Sequence, residues 1–133
     1  MIDHAEYAQA GRKAVAAASI VCREVQNNLE QVRSVTKDDK SPVTVADYAS
    51  QAVVAMMLKQ QLGEFVLVAE EASNFLRDED NAMLLDAAVA AAKEVWEDAT
   101  ADDLLDAIDL GAGDTTHHKF WTLDPIDGTK GFL

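Results

Sequence analysis

The sequence contains little cysteine, few positively charged residues and no long apolar run, and each shortage excludes a class of protein. A single cysteine rules out an internal disulfide and fits a reducing compartment. A net charge of −13 argues against a nucleic-acid polymer or an anionic membrane as a partner. No apolar stretch approaches the roughly 20 residues of a membrane span. The first residues show no leader-like pattern, which predicts a cytoplasmic protein and leaves an organelle open.

The sequence does contain enough apolar side chains for a folded domain. Apolar residues make up 49% of the 133 residues, which argues against disorder. A chain of this length corresponds to one domain and can bury roughly two-thirds of its unfolded surface. We therefore expect residues 1–133 to belong to one domain.

The N-terminal third of the chain predicts two helices. Residues 3–34 form the first, because a stripe recurs at spacings of three and four: Ala8, Gly11, Val15, Ala18, Cys22, Val25, Leu29 and Val32. Its position on this stripe makes Cys22 a core cysteine rather than a reactive one. After a polar loop, the second helix runs from Thr44 to about Gln61, with an inward face of Val45, Ala49, Ala52, Val53, Met56 and Gln60.

The rest of the chain alternates between strands and helices. A β-rich run predicts a strand over 64–69, residues 73–82 are irregular, and a third helix covers about 82–98. Thr100 to Asp103 predict the cap of a short helix, 104–110, that ends at Gly111. A second short strand precedes Asp124. This order of elements predicts an α/β or α+β fold. The adjacent pair His117 and His118 is interpreted as surface histidines rather than metal ligands.

The turn after the second strand has the composition of a metal and phosphate site. Asp124 and Asp127 bracket Pro125, which ends the strand, and Ile126. Two carboxylates with a carbonyl between them suit Mg²⁺. The glycines that follow let backbone N–H groups approach an anion. The alternative is a polar turn without function, since Asp, Pro and Gly are common in turns.

Two further acidic positions have a structural and a functional interpretation. Asp47 fits the third position of a helix that Thr44 would cap, near the positive helix end. Glu70 and Glu71 close the first strand as solvated acids, or one of them enters a site. Because adjacent strand residues face opposite sides, only one of the two is expected to do so.

Three segments together resemble a known family. Asp-Pro-Ile-Asp-Gly-Thr-Lys-Gly-Phe, residues 124–132, is similar to the signature of the lithium-sensitive, Mg²⁺-dependent phosphatases of the inositol monophosphatase superfamily. Its Thr-Lys-Gly-Phe ending resembles the 3′(2′),5′-bisphosphate nucleotidases, as do segments 40–48 and 68–71. The resemblance implies the N-terminal half of a layered αβαβα fold. It also implies a missing C-terminal half, which supplies another metal-binding aspartate and most of the nucleotide surface.

The resemblance also assigns roles to residues. Two or three Mg²⁺ ions of the intact enzyme would be held by Glu70, Asp124, the Ile126 carbonyl and Asp127. Thr129, hydrogen-bonded to Asp47, would take the proton from the attacking water. The amides of Gly128 and Thr129 would hold the phosphate. Ala72, where the family has serine, departs from the pattern.

The implied activity is removal of the 3′ or 2′ phosphate from adenosine 3′(2′),5′-bisphosphate, with the 5′-phosphosulfate analogue as a further substrate in sulfur metabolism. One alternative is a sugar phosphatase of the inositol monophosphatase type, against which Thr-Lys-Gly-Phe counts. The other is a non-catalytic acidic fragment. Without the second half of the domain, the 133-residue chain is expected to be inactive on its own.

Overall fold

The structure, a computed structural model, describes residues 3–30 and 41–126, apart from the side chain of residue 41. The predicted loop at 34–43 lies largely outside these residues, as do Asp127, Gly128 and Thr129. The elements in chain order are α1 His4–Asn27, α2 Ser41–Leu62, β1 Leu67–Ala69, α3 Asn74–Arg77, a 3-10 turn Glu79–Asn81, α4 Ala82–Ala92, α5 Ala101–Asp109 and β2 Trp121–Leu123.

Helix α2 is the centre of the fold, and α1, α4 and α5 pack around it. From Val45 to Leu58 its residues are buried on nearly every side. A helix that is apolar all round is stable only when it is enclosed by protein, which explains this central position. The predicted inward face is correct except for Gln60, which is exposed.

Helix α1 differs from its prediction in length and in rotation. The predicted unbroken helix over 3–34 is wrong, because α1 ends at Asn27 and a turn at Asn28 separates it from residues 29–30, which are helical again; residues 31–34 lie outside the described residues. The Asn28 side chain donates to the Glu24 carbonyl at 2.8 Å, and its backbone N–H turns to Val25. A side chain that takes over a helical acceptor in this way competes with the next turn.

The buried stripe of α1 is also displaced from the predicted one. Its members are Ala10, Ala14, Ala17, Val21 and Val25, whereas Val15 of the predicted stripe is 59% exposed. A shift of one residue rotates the face of a helix by about 100°. The alanine-rich face lies inward because small side chains let α1 approach α2 closely. Cys22 lies at the edge of this contact, packed against the core, with its Sγ 3.0 Å from the Ser50 hydroxyl.

The start of α2 overturns the capping interpretation of Asp47. The helix begins at Ser41, so Thr44 lies inside it and cannot be its N-cap. Pro42 occupies the first turn, where its missing N–H is not needed and its fixed φ suits a helix. Asp47 therefore lies in the second turn of α2, where the charges of Glu70, Glu71 and Asp124 act on it.

The two strands form a parallel pair, which confirms the α/β class. Leu67 pairs with Trp121 and Ala69 with Leu123. On its other side β1 meets the segment after α5, where the Ala69 N–H donates to the Gly111 carbonyl at 2.8 Å. The first strand is shorter than the predicted 64–69.

The segment between β1 and α4 contains helix α3, which was predicted as irregular. Ser73 is buried and donates from its backbone N–H and its hydroxyl to Asp109, at 3.0 and 2.7 Å. The Arg77 guanidinium donates hydrogen bonds to the Ser73 hydroxyl and to the Asp109 carboxylate. Burial alone would raise the pKa of Asp109, but these hydrogen bonds and the Arg77 charge outweigh it and lower that pKa. The helix was missed because tertiary contacts, not local pattern, hold its four residues.

The remaining helices agree better with prediction. Thr100 and Asp103 form the predicted capping box of α5, with hydrogen bonds of 3.1 Å in both directions. Helix α4 starts at the predicted Ala82 but ends at Ala92 rather than near 98.

Candidate active site

The carboxyl ends of β1 and β2 lie at one edge of the sheet because the strands are parallel. Ala69 and Leu123, the last residues of the two strands, are paired in the register. Glu70 and Asp124 follow them directly. Parallel pairing thus brings together acids that are more than fifty positions apart in the chain.

A buried glutamine connects this edge to α2. Gln51 is fully buried, and its Oε1 accepts from the Glu71 N–H at 3.0 Å. Its Nε2 donates to the Glu71 carbonyl at 2.8 Å and to the Ile108 carbonyl at 2.9 Å. Gln51 follows Asp47 by four residues, so the two share one helix face. The three hydrogen bonds of Gln51, called here the Gln51 clamp, therefore hold Asp47 beside the residues that follow β1.

Gln51 was not predicted as a site residue, although the sequence carries one signal for it. A glutamine in the middle of an apolar helix must find hydrogen-bond partners if it is buried. Gly111 fits the same arrangement, since a Cβ there would lie 2.6 Å from the Gln51 Nε2.

Replacing Gln51 by leucine is expected to lower the free energy of unfolding by about 2–4 kcal/mol, because it removes the hydrogen-bond partner of both the N–H and the carbonyl of half-buried Glu71. Gln60→Leu, on the exposed end of the same helix, is the matched control and should change stability by no more than about 0.5 kcal/mol. Urea unfolding of both variants measures the difference. Equal, small effects would contradict the clamp.

The acids at this edge act on one another electrostatically. Burial is the largest cause that raises the pKa of Asp47 to about 7. Further contributions come, in decreasing order, from the charges of Glu71, Glu70 and Asp124. Burial and the charge of Glu70 also raise the pKa of Glu71, although its hydrogen bond with Tyr48 works in the opposite direction. These shifts place Asp47 and the three other acids in one neighbourhood.

Glu71 faces this neighbourhood as well as Glu70, contrary to the expectation that only one of them would. The alternation rule applies inside a strand, but β1 ends at Ala69, before either glutamate. Burial, the Glu71 charge and the Glu71 hydrogen bond raise the pKa of Tyr48 to about 12. The Tyr48 ring stacks on Phe75 with centroids 6.0 Å apart. Glu71 is thus a candidate site residue that the sequence analysis set aside.

The donor chemistry at this edge fits a hard divalent cation. Asp47, Glu70, Glu71 and Asp124 all carry carboxylates, and a bound cation would relieve the repulsion between them. Within residues 3–30 and 41–126, no three His, Cys, Asp or Glu side chains are placed to hold one metal ion. The predicted ligand set includes Asp127, and the predicted phosphate contacts Gly128 and Thr129, which lie outside the described residues.

Cys22 and the histidine pair have no place at this edge as nucleophile or ligand. Burial raises the pKa of the Cys22 thiol, as does the charge of Asp47, while its hydrogen bond with Ser50 lowers it. A raised pKa leaves little reactive thiolate. His117 and His118 are exposed, as predicted, and lie at the opposite end of the sheet.

In EDTA, without divalent cations, the free energy of unfolding is expected to fall as the pH rises from about 4 to 7. The pKa of Asp47 is about 7 in the folded protein against an ordinary value of 3.8. The stabilising effect of this group is fully present below 3.8 and is lost as the pH rises through 7. In that window the unfolded chain has lost a proton that the folded protein keeps.

Urea unfolding at a series of pH values measures this dependence. Asp47→Asn should flatten the profile and stabilise the cation-free protein near pH 7, whereas Asp86→Asn, an exposed acid on α4, should not. Parallel profiles for all three proteins would contradict the raised pKa of Asp47.

Acids from two parallel strands and a neighbouring helix thus define a carboxylate site at the edge of an α/β fold. The model of the inositol monophosphatase family matches residues 3–133. The chain therefore belongs to the inositol monophosphatase family, as its motifs predicted.

Several relatives are named as nucleotidases. The chain is 44% identical over 135 residues to 3′(2′),5′-bisphosphate nucleotidase 1 of Arabidopsis thaliana, an alignment that covers 93% of this chain and 38% of the relative. It is 41% identical over 137 residues to a 3′(2′),5′-bisphosphate nucleotidase of Oryza sativa, again covering 93% and 38%. The identity is 39% over 133 residues with the 3′(2′),5′-bisphosphate nucleotidase of Schizosaccharomyces pombe, covering 90% and 38%.

The chain thus spans less than two-fifths of the length of these relatives. In the described part of the chain, no helix is long and apolar enough to cross a membrane.

Proposed function

We propose that this chain supplies the metal-binding edge of a Mg²⁺-dependent phosphomonoesterase that removes the 3′ or 2′ phosphate from adenosine 3′(2′),5′-bisphosphate. The observation that carries the proposal is the gathering of Asp47, Glu70, Glu71 and Asp124, which together with burial raises the pKa of Asp47 to about 7. Strongly perturbed acids of this kind concentrate at catalytic sites. The names of the relatives support the substrate.

Mg²⁺ at this edge would be held by the carboxylates of Glu70, Asp124 and Asp127 and by the carbonyl of Ile126. When bound, it supplies positive charge that offsets the carboxylates and the phosphate and makes water more acidic. Because the charges of Glu70 and Asp124 act on Glu71, its carboxylate would also interact with this positive charge.

Asp47 is the proton acceptor in this proposal. Without a cation, its pKa of about 7 would leave this acid only partly ionised at neutral pH, and a general base has to be ionised to accept a proton. A cation nearby lowers that pKa and keeps the carboxylate ionised. Thr129 passes the proton of the attacking water to Asp47, and the amides of Gly128 and Thr129 hold the phosphate oxygens. Gln51 is a positioning residue, since it fixes the backbone of Glu71 against α2.

The proposal extends to the whole protein. The 5′-phosphosulfate analogue is a second substrate, lithium inhibits the enzyme, and the enzyme works in the cytoplasm on a small nucleotide rather than on a polymer or a membrane. Since the relatives are more than twice as long, we infer that a further metal-binding aspartate and most of the nucleotide surface lie outside these 133 residues. The 133-residue chain by itself is therefore expected to release no phosphate.

Phosphate release by the full-length protein that carries this sequence tests the proposal. Adenosine 3′,5′-bisphosphate should be hydrolysed with Mg²⁺ and not with EDTA, and Asp124→Asn should abolish the release, which excludes contaminating phosphatases. Faster release from inositol 1-phosphate would favour the sugar phosphatase alternative. A protein that binds Mg²⁺ but hydrolyses neither compound would favour a non-catalytic role.

A further inference from the structure

A cavity lies at the end of the sheet opposite the carboxylates. It has a volume of about 900 Å³ and is lined by residues that precede β1, such as Phe65, and by Phe120 and Trp121 at the start of β2. Residues at the start of α1 and Lys59 near the end of α2 complete its walls. The strands separate it from the carboxylate edge by about 10 Å, three residues at 3.3 Å each. Ligand pockets in proteins typically measure 300–1,000 Å³.

The lining concentrates basic side chains in a protein whose net charge is −13. All three histidines of the chain line this cavity, together with Lys59 and Lys119. Among the described residues of the lining, Glu64 is the only acid. In the described part of the chain, the ion pairs are those of Arg77, so neither lysine ammonium lies within 4.0 Å of a carboxylate of the described residues. Five nitrogen-bearing side chains thus line this space, against one acid, Glu64.

Aromatic rings lie beside these basic groups. Tyr7 packs edge to face on Trp121, with ring centroids 6.1 Å apart, and the Lys119 ammonium lies 5.3 Å from the centre of the Tyr7 ring. Phe120 is 40% exposed, although it is a large apolar side chain next to a strand. An accessible ring next to cations fits a ligand that has both a planar ring and an anionic group.

We propose that this cavity binds a nucleoside monophosphate, with the phosphate at Lys59, Lys119 and the histidines and the base against Phe120. The carboxylate edge repels an anion unless a cation is bound, whereas this cavity needs none. The site is therefore separate from the proposed catalytic one, and its existence does not depend on the proposed phosphatase activity.

Calorimetric titration of AMP into the full-length protein in EDTA tests the site, because EDTA prevents binding that depends on a divalent cation. The double variant Lys59→Ala/Lys119→Ala should bind AMP at least 10-fold more weakly than the unsubstituted protein. Lys93→Ala, an exposed lysine at the end of α4, is the matched control and should bind AMP normally. Asp124→Asn should also bind AMP normally, which separates this site from the catalytic proposal.

Two further arms test the recognition of the base. Inorganic phosphate should bind more weakly than AMP, and Phe120→Ala should weaken AMP binding several-fold while leaving phosphate binding unchanged. Absence of AMP binding in EDTA, or equal affinity for AMP in the double-lysine variant, would overturn the site. Equal affinity for AMP and phosphate would overturn its assignment to a nucleotide.

Discussion

Replacement of Asp47 by asparagine is expected to lower kcat for adenosine 3′,5′-bisphosphate by about 10²–10⁴-fold, the usual contribution of a general base. Asparagine has nearly the same shape but can neither carry the negative charge nor accept the proton. The structure places Asp47 in the second turn of α2, away from any capping role, so the loss of activity should occur without a loss of stability. Steady-state kinetics with Mg²⁺, together with urea unfolding of the same variant, measures both quantities.

Asp86→Asn is the matched control for this experiment, because Asp86 is an exposed helical acid far from the site in the chain. It should keep near-native turnover. Near-native turnover by Asp47→Asn would contradict the role of Asp47 as proton acceptor. A large loss of stability in that variant would instead indicate that its carboxylate supports the fold.

Replacement of Asp124 by asparagine is expected to weaken Mg²⁺ binding by at least about 100-fold, the upper end of the loss seen for groups that only support a ligand. Asp124 is exposed directly after β2, and its charge contributes to the raised pKa of both Asp47 and Glu71. A cation that relieves this repulsion depends on the same carboxylate. Calorimetry with Mg²⁺ or Mn²⁺ on the full-length protein should therefore lose a binding event.

Asp98→Asn, an exposed acid in the turn region after α4, controls for the change in overall charge. It should leave the number of bound ions and their affinity unchanged. If Asp124→Asn also leaves both unchanged, Asp124 is not a metal ligand and the proposed site is wrong.

Parallel pairing of two short strands explains how one small sheet can carry two chemically opposite surfaces. The carboxyl ends of β1 and β2 are followed by Glu70 and Asp124, so one edge is acidic. The amino ends of both strands are preceded by aromatic and basic residues, including Lys119 and Phe120, and they face the cavity proposed to bind a nucleoside monophosphate. If the two strands were antiparallel, each end of the sheet would carry the acid that follows one strand and the basic and aromatic residues that precede the other.

The residue types of the proposed site could be read from the sequence alone. Asp124, Asp127 and the glycines that follow lie within one short segment, so their spacing is a local property that needs no tertiary contact. The same holds for the capping box of α5, whose two partners are three residues apart. Family membership followed from such local motifs and is confirmed.

The rotation of α1 and the start of α2 could not be predicted in the same way. The sequence of α1 carries two overlapping stripes of small and apolar residues, and only packing against α2 selects Ala14 over Val15 for the core. Periodicity cannot rank two such stripes, because both satisfy it. Likewise, the extra first turn of α2 rests on Pro42 being tolerated there, which local patterns allow but do not require.

The sequence by itself determined the family and the order of the main elements, because both depend on residues close together in the chain. Only the tertiary structure decided which acids meet. Glu71 joins the site because β1 ends one residue before Glu70 and because Gln51, twenty positions earlier, binds the Glu71 backbone. Contacts between distant segments depend on how helices and strands pack, and no local pattern specifies them.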